Sequence, residues 1–300
     1  MNYMVFDFGG TAVKYAVMDE HSTILEKGSY PLNQLSQTNF ELFLQALLTQ
    51  YSSLKEKYDF AGIAISSPGF VDSEKGIVHG FSAIPCIHEF PIAQAISKAL
   101  DGLPVAIAND GNCSAYGEYY IGLKQAYKNV VKIVCGSGIG GGYVQNGIIH
   151  PTAHMASSEF GFMPLVQEGD KVLSWSTYSV VGTAVHYNYE QNAALEAIEL
   201  FDLAESQALE KSYTDKFYHY LAMGCLIISL ALDPDIILIG GAISTRDSFS
   251  DNLNQALANL EKDEALTKYS NSLIQVSKLG NDGNLYGALY NFIHIGTCKQ

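Results

Sequence analysis

Apolar residues fall in short runs separated by glycine, proline and polar turns, a rhythm of alternating strands and helices. Tyr3 to Phe8 reads as a short apolar strand, Gly9-Gly10-Thr11 as a turn, and Val13 to Met18 as the returning strand. Thr23 to Tyr30 is a candidate third strand. Phe40, Leu44, Leu47, Leu48, Tyr51 and Leu54 recur at three- and four-residue steps, which predicts a helix. Strand Phe60 to Ser66 ends at Pro68-Gly69. Helix Ile92 to Leu100, strand Val105 to Ala108 and a helix from about Asn112 to Tyr120 follow.

The order then partly repeats. Strand Val130 to Cys135 runs into a glycine-rich turn, and a hairpin is expected around Asn146-Gly147, a strong type I′ signal, from Tyr143 to Gln145 and Ile148 to His150. A mainly helical stretch spans about Lys171 to Leu232. Strand Ile236 to Ile239, a helix near Phe249 to Leu260, strand Leu273 to Val276 and a helix near Asn284 to Phe292 complete the chain. Two copies of hairpin-plus-α/β predict two similar α/β domains with a cleft between them. The expected division is 1–120 and 121–282, with the closing segment 283–300 a candidate to pack back on the first domain.

Composition narrows the function. The chain has 300 residues, 48% hydrophobic and 16% charged, which suits a buried core and excludes disorder. A net charge of −14 argues against a nucleic-acid partner, which needs clustered Lys and Arg. It leaves nucleotide binding open, since backbone amides hold phosphate without net positive charge. The five cysteines are scattered with no Cys-x-x-Cys pair and read as free thiols in a reducing compartment. Asp7 interrupts the first apolar run with no basic leader before it, and no stretch of about 18 apolar residues occurs. A cytoplasmic protein with no membrane contact is expected.

Three glycine turns follow three strands. In Asp7-Phe8-Gly9-Gly10-Thr11, a glycine pair lets backbone amides approach a phosphate, Thr11 adds a hydroxyl, and Asp7 sits where a carboxylate holds Mg²⁺ directly or through water. An ordinary hairpin fits equally. Gly136-Ser137-Gly138-Ile139-Gly140-Gly141-Gly142 follows its strand directly, and five glycines in seven residues cost chain entropy and imply a reason. The run contains G-x-G-x-x-G, with Glu159 near the spacing of a dinucleotide site. However, it leads into Tyr143-Val144-Gln145 rather than a helix, so a phosphate-binding hairpin fits better. Ile236 to Ile239 ends in Gly240-Gly241, where a base or ribose can lie against the backbone; a tight strand-to-helix turn is the alternative.

The strand Val105 to Ala108 delivers Asn109-Asp110-Gly111-Asn112 to its carboxyl end, where ligands of α/β sheets usually sit. Phosphoryl transfer to an alcohol needs a carboxylate to accept the hydroxyl proton and neutral groups to hold the acceptor; Asp110 and Asn109 suit these roles. The same residues are also good turn chemistry, with Asp110 or Asn112 as a helix cap. Glu159, in Ser157-Ser158-Glu159-Phe160-Gly161-Phe162, either grips sugar hydroxyls or is a solvated loop acid. His150 and His154 are four apart, but Pro151 breaks a helical zinc geometry, and they read as loop residues.

Together these segments resemble the ROK family of sugar kinases and sugar-responsive repressors, in order from about residue 4 to residue 288. The resemblance implies an actin-like ATPase (ribonuclease H-like) fold, and ATP with Mg²⁺ as cofactors. It implies Asp110 as catalytic base, and a sugar site of Asn109, Glu159, Ser67, Pro68 and Gly69. The nucleotide side would comprise Asp7, Gly9, Gly10, Thr11, Lys14, Gly136, Ser137, Gly138, Gly140, Gly240 and Gly241, with Asp7 toward the metal. A homodimer acting on a small-molecule sugar or glycoside is implied.

Two departures from the family pattern bear on the acceptor. Phe162 stands where many members have a zinc-binding His, and no Cys lies between Cys135 and Cys225, so no zinc is expected. The stretch Leu173-Ser174-Trp175-Ser176-Thr177-Tyr178-Ser179 lacks the usual second sugar-binding glutamate. The expected acceptor is a hexose or β-glucoside, phosphorylated at its 6-hydroxyl; a sugar already substituted at its anomeric carbon is expected to be accepted, with Phe162 and Trp175 offering apolar faces to a second ring or aglycone. The competing expectation is that both aromatics fill core space. A repressor is disfavoured because the phosphate motif begins at Asp7, leaving no helix-turn-helix before it, and the charge is acidic. A sugar binder without turnover is disfavoured by Asp7, Asp110 and both glycine motifs.

Overall fold

The computed structural model describes residues 1–150, 155–156, 158–260 and 272–296; His154, Ser157 and Cys298 lie outside them. The chain divides into two units, one of Met1–Lys124, Pro151–Ala156 and Asp282–Gln300, the other of Gln125–His150 and Ser157–Asn281.

In the first unit, β1 (Asn2–Phe8), β2 (Ala12–Asp19) and β3 (Ile24–Pro31) form an antiparallel meander. Helices α1 (Gln34–Thr38) and α2 (Phe40–Lys55) lead to β4 (Phe60–Ser67) and the hairpin of β5 (Phe70–Asp72) and β6 (Ile77–His79). Next come α3 (Ile92–Ala99), β7 (Val105–Asn109) and α4 (Asp110–Gly117). The sheet order is β3-β2-β1-β4-β7, with β4 and β7 parallel to β1.

Strand periodicity explains the layering. Met4, Phe6 and Phe8 face α2 and α3 together with Ile63, Ile65, Val105 and Ile107. Tyr3, Val5, Ala64 and Ala108 face the opposite layer, with Cys113 of α4 and Leu285 and Leu289 of the C-terminal helix Gly283–Tyr290. That helix lies so close to α4 that a Cβ on Gly287 would overlap the Cys113 carbonyl, and one on Gly117 the Gly283 carbonyl. The register pairs Asp7 with Ser66 and Ser67 with Asn109, which brings the carboxyl ends of three parallel strands to one edge.

The second unit begins with β8 (Asn129–Cys135) and β9 (Ile139–Gln145), an antiparallel pair whose connection is the glycine run itself. Asn146 and Gly147 do turn, with φ of 52° and 83°, but only a single bridge, Gln145 to Ile148, follows instead of the expected second strand. The stretch expected to be helical from Lys171 starts with a small hairpin, β10 (Val166–Glu168) and β11 (Lys171–Leu173). Helices α5 (Val180–Gln191), α6 (Ala197–Leu203) and α7 (Ala208–Leu232) come next, then β12 (Ile236–Gly240), α8 (Phe249–Leu260) and β13 (Leu273–Val276). The order β13-β12-β8-β9 makes a second, smaller sheet, packed on α7 and α8 through Ile133, Ile237, Phe217, Cys225 and Phe249. Among the described residues no helix is long and apolar enough to cross a membrane.

Candidate active site

At the carboxyl edge of the first sheet, Asp7 is buried at 6% exposure. Its Oδ1 accepts the Ser66 hydroxyl at 2.8 Å and the Asn284 amide at 3.0 Å, and Lys14 approaches Oδ2 to 3.5 Å from a half-exposed position. Neither Ser66 nor Asn284 carries a local signal marking it as a support of Asp7; Asn284 is 277 residues away in sequence. Asp110 opens α4. Asn109, not Asp110 or Asn112, caps that helix, its Oδ1 accepting the Asn112 N–H at 3.1 Å. Asn109 also donates through Nδ2 to the Gly69 carbonyl at 3.0 Å and to Asp110 Oδ1 at 3.1 Å. The Gly111 N–H donates to the same Oδ1 at 2.8 Å. Oδ2 of Asp110 accepts no hydrogen bond among the described residues. Burial pushes this carboxyl up to about 6; the Gly111 N–H opposes the rise and the negative charge of Asp7 adds to it. Two carboxylates in electrostatic contact suit a divalent cation, and Asp7 has the oxygen chemistry to hold magnesium.

Ser67, Pro68 and Gly69, the loop expected to meet a sugar, lie beside this edge. Ser67 is fully buried, its hydroxyl donating to the Pro68 carbonyl at 3.2 Å. Gly69 has φ of 98°, and a Cβ there would stand 2.8 Å from Val78, so only glycine fits. Asp7, Gly9, Gly10, Thr11, Lys14, Ser67, Pro68, Gly69, Asn109 and Asp110 thus all belong to the first unit, and the remaining candidates to the second.

Both phosphate-type loops share a design. In the first, the Gly9 N–H turns back to the Ala12 carbonyl at 3.1 Å. Gln37 donates to the Gly10 carbonyl at 2.5 Å and Leu32 to the Thr11 carbonyl at 2.9 Å. In the second, the carbonyls of Gly136, Ser137 and Gly138 accept from Val181 N–H (3.2 Å), Ser179 Oγ (2.9 Å) and Gly136 N–H (3.0 Å). The carbonyls are therefore engaged, while the N–H groups of Gly10, Thr11, Ser137 and Gly138 donate to no described residue. Successive unpaired N–H groups form an anion cradle. Gly240 pairs with Val134, and Gly241, at φ 99°, packs on the Cys135 carbonyl, so this pair adjoins the second loop. Gly140 has open space around its missing side chain, whereas Gly141 makes room for Phe160.

Glu159 is partly buried at the start of a helical turn, Phe160–Phe162. The two aromatics expected beside it part company. Phe162 is 59% exposed, which removes it as a core filler. Trp175 is fully buried in the second core against Gly224, so it offers no face to a ligand; the sequence reading of Trp175 as a binding surface is corrected. Among the described residues no group of three or more His, Cys, Asp or Glu is arranged to hold a metal ion.

The sequence profile of the ROK family matches residues 3–294. The chain belongs to the ROK family. A β-glucoside kinase from Listeria monocytogenes is 29% identical, the match covering 98% of each chain. A glucokinase from Halalkalibacterium halodurans is 28% identical, with 95% of this chain and 93% of that one covered. The crystal structure of a ROK family protein from Streptococcus pneumoniae in complex with sucrose superposes with a TM-score of 0.85 at 31% identity, over 98% of this chain and 99% of that one. The fold is accordingly the actin-like ATPase fold, and the chain is a carbohydrate kinase of this family, an ATP-dependent phosphotransferase.

Proposed function

We propose that the protein transfers the γ-phosphate of ATP to the 6-hydroxyl of a hexose or β-glucoside, with Asp110 taking the hydroxyl proton. The observation that carries this reading is the half-satisfied Asp110 carboxylate. Gly111 and Asn109 hold Oδ1, which leaves Oδ2 as the acceptor, and burial gives it a basicity above that of an ordinary aspartate. Asn109 couples that carboxylate to the Gly69 carbonyl, so acceptor loop and base are fixed together. The N–H groups of Gly10, Thr11, Ser137 and Gly138 receive phosphate oxygens, stabilising charge without reorganisation. Asp7 would hold a magnesium ion, which would supply charge neutralisation for the phosphates, and Lys14 balances Asp7. Glu159 grips sugar hydroxyls, with Gly240 and Gly241 against the nucleoside. The enzyme works in the cytoplasm as a homodimer, and the four described cysteines are all free thiols.

For the acceptor, a glycoside is favoured. Phe162 presents an exposed apolar ring where a free anomeric hydroxyl would find no partner, and aromatic faces suit the C–H surface of a second sugar. The Streptococcus pneumoniae relative binds sucrose, a disaccharide without a free anomeric hydroxyl. Coupled ADP release over glucose, N-acetylmannosamine, cellobiose and gentiobiose, with NMR of the product, tests this. Higher kcat/KM for the β-linked disaccharides and phosphate on the 6-oxygen are expected. Turnover of free monosaccharide alone defeats the glycoside reading, and ADP release from none of a broad sugar panel defeats the kinase reading.

A further inference from the structure

The segment between β11 and α5 does work that its lack of acids conceals. Trp175 anchors it, fully buried and donating its N–H to the Met163 carbonyl at 2.8 Å. One residue on, the Ser176 hydroxyl accepts the Ile139 N–H at 3.0 Å, at the exit of the second glycine loop. Ser179 is fully buried and does two things with one hydroxyl: it donates to the Ser137 carbonyl at 2.9 Å and accepts the Gly182 N–H at 3.0 Å, capping α5. Val181, in the first turn of α5, donates its N–H to the Gly136 carbonyl. The loop is therefore fastened at Gly136, Ser137 and Ile139 from one short stretch.

Ser176 has a second neighbour. A Cβ on Gly161 would overlap both the Ile139 carbonyl oxygen and the Ser176 hydroxyl, so the turn carrying Glu159 rests on the same hydroxyl that holds the loop.

We propose that Ser176 and Ser179 are positioning residues for phosphoryl transfer: Ser179 sets the donor loop alone, and Ser176 ties the donor loop to the Glu159 turn. The proposal rests on the kinase reading above. Without the Ser179 hydroxyl, the Ser137 carbonyl loses its donor and is free to rotate with its peptide, which turns the neighbouring N–H away from a phosphate oxygen. Without the Ser176 hydroxyl, the Ile139 N–H is left buried and unpaired, and both the loop and the Gly161 turn lose a common support.

The test is steady-state kinetics with both substrates, alongside thermal unfolding, for Ser179→Ala, Ser179→Thr and Ser176→Ala. Loss of one such hydrogen bond is expected to lower kcat/KM for ATP about tenfold in Ser179→Ala, with acceptor KM within about twofold and near-complete rescue by Thr. Ser176→Ala is expected to impair ATP and acceptor together. Unchanged ATP kinetics in Ser179→Ala, equal impairment of Ala and Thr, or loss that merely follows the unfolding temperature overturns the role of Ser179. An unchanged acceptor KM in Ser176→Ala overturns the coupling. If Ser179→Ala does not fold, Ser176→Ala, which caps no helix, decides the donor arm. Should the wild type turn over no sugar, the kinase reading fails by itself. ADP affinity by calorimetry then still reads the loop: about tenfold weaker binding in the Ala variants supports the positioning role, and equal affinity overturns it.

Discussion

Asp110 shows how surroundings fit a single residue for the role proposed for it. Burial lifts its carboxyl from the ordinary aspartate value to about 6, and the nearby Asp7 charge adds to the lift. A general base acts only when deprotonated, so kcat/KM for the acceptor should fall about tenfold per pH unit below about pH 6 and level off above it. The same shift has a thermodynamic sign. A carboxyl whose folded-state pKa is raised adds stability below its unfolded pKa and loses it as pH rises through about 6. Asp110→Asn should therefore be more stable than wild type at pH 7.5, by up to about 3 kcal/mol, and no more stable near pH 4. Urea unfolding at both pH values checks this, and equal stability at pH 7.5 would contradict a desolvated charge. In sequence, Asp110 stood out as a carboxylate at a strand end, with a helix cap by Asp110 or Asn112 as the alternative; Asn109 is the cap. β7 extends through Asn109 because it pairs with Ser67, a register no local pattern reveals. Asn284, the partner of Asp7, is equally invisible, since the contact exists only once the C-terminal helix returns to β1.

The elements were legible where one periodicity dominated. The first meander and α2 followed from alternation and from three- and four-residue steps. The glycine run was legible as a hairpin turn because a strand, not a helix, follows it. Less legible was why each glycine is there: Gly141 and Gly161 serve packing against Phe160, Ile139 and Ser176, so they are not explained by the proposed anion site. Between Met163 and Ser179, a hairpin of two three-residue strands and a short 3₁₀ turn carry no periodic signal, so the sequence left Trp175 open between a ligand face and the core. The contrast between two aromatics in this region makes a direct check. Trp175→Ala should cost about 3–5 kcal/mol, as expected for a large buried ring, while Phe162→Ala should stay within about 0.5 kcal/mol and shift only acceptor preference. Chemical denaturation of the two variants measures both, and a strongly destabilised Phe162→Ala would return that ring to the core.

At the scale of the whole chain, two units each present a hairpin of strands and a glycine turn whose N–H groups are unpaired among the described residues, and the first adds the carboxylate edge of Asp7 and Asp110. Asp7 and Asp110, the carboxylates proposed for metal and base, lie in one unit, and Gly240 and Gly241, proposed for the nucleoside side, in the other. The net charge of −14 gives ATP no long-range attraction, which fits the proposal that local N–H groups and a cation hold its phosphates. Everything then converges on whether one carboxylate moves the proton. The most direct measurement is kcat of Asp110→Asn at saturating ATP, magnesium and the best acceptor, with wild-type unfolding behaviour or better confirming an intact fold. The account predicts a loss of about 10²–10⁴-fold in kcat, with KM for ATP changed by less than about threefold. A kcat within tenfold of wild type would contradict it.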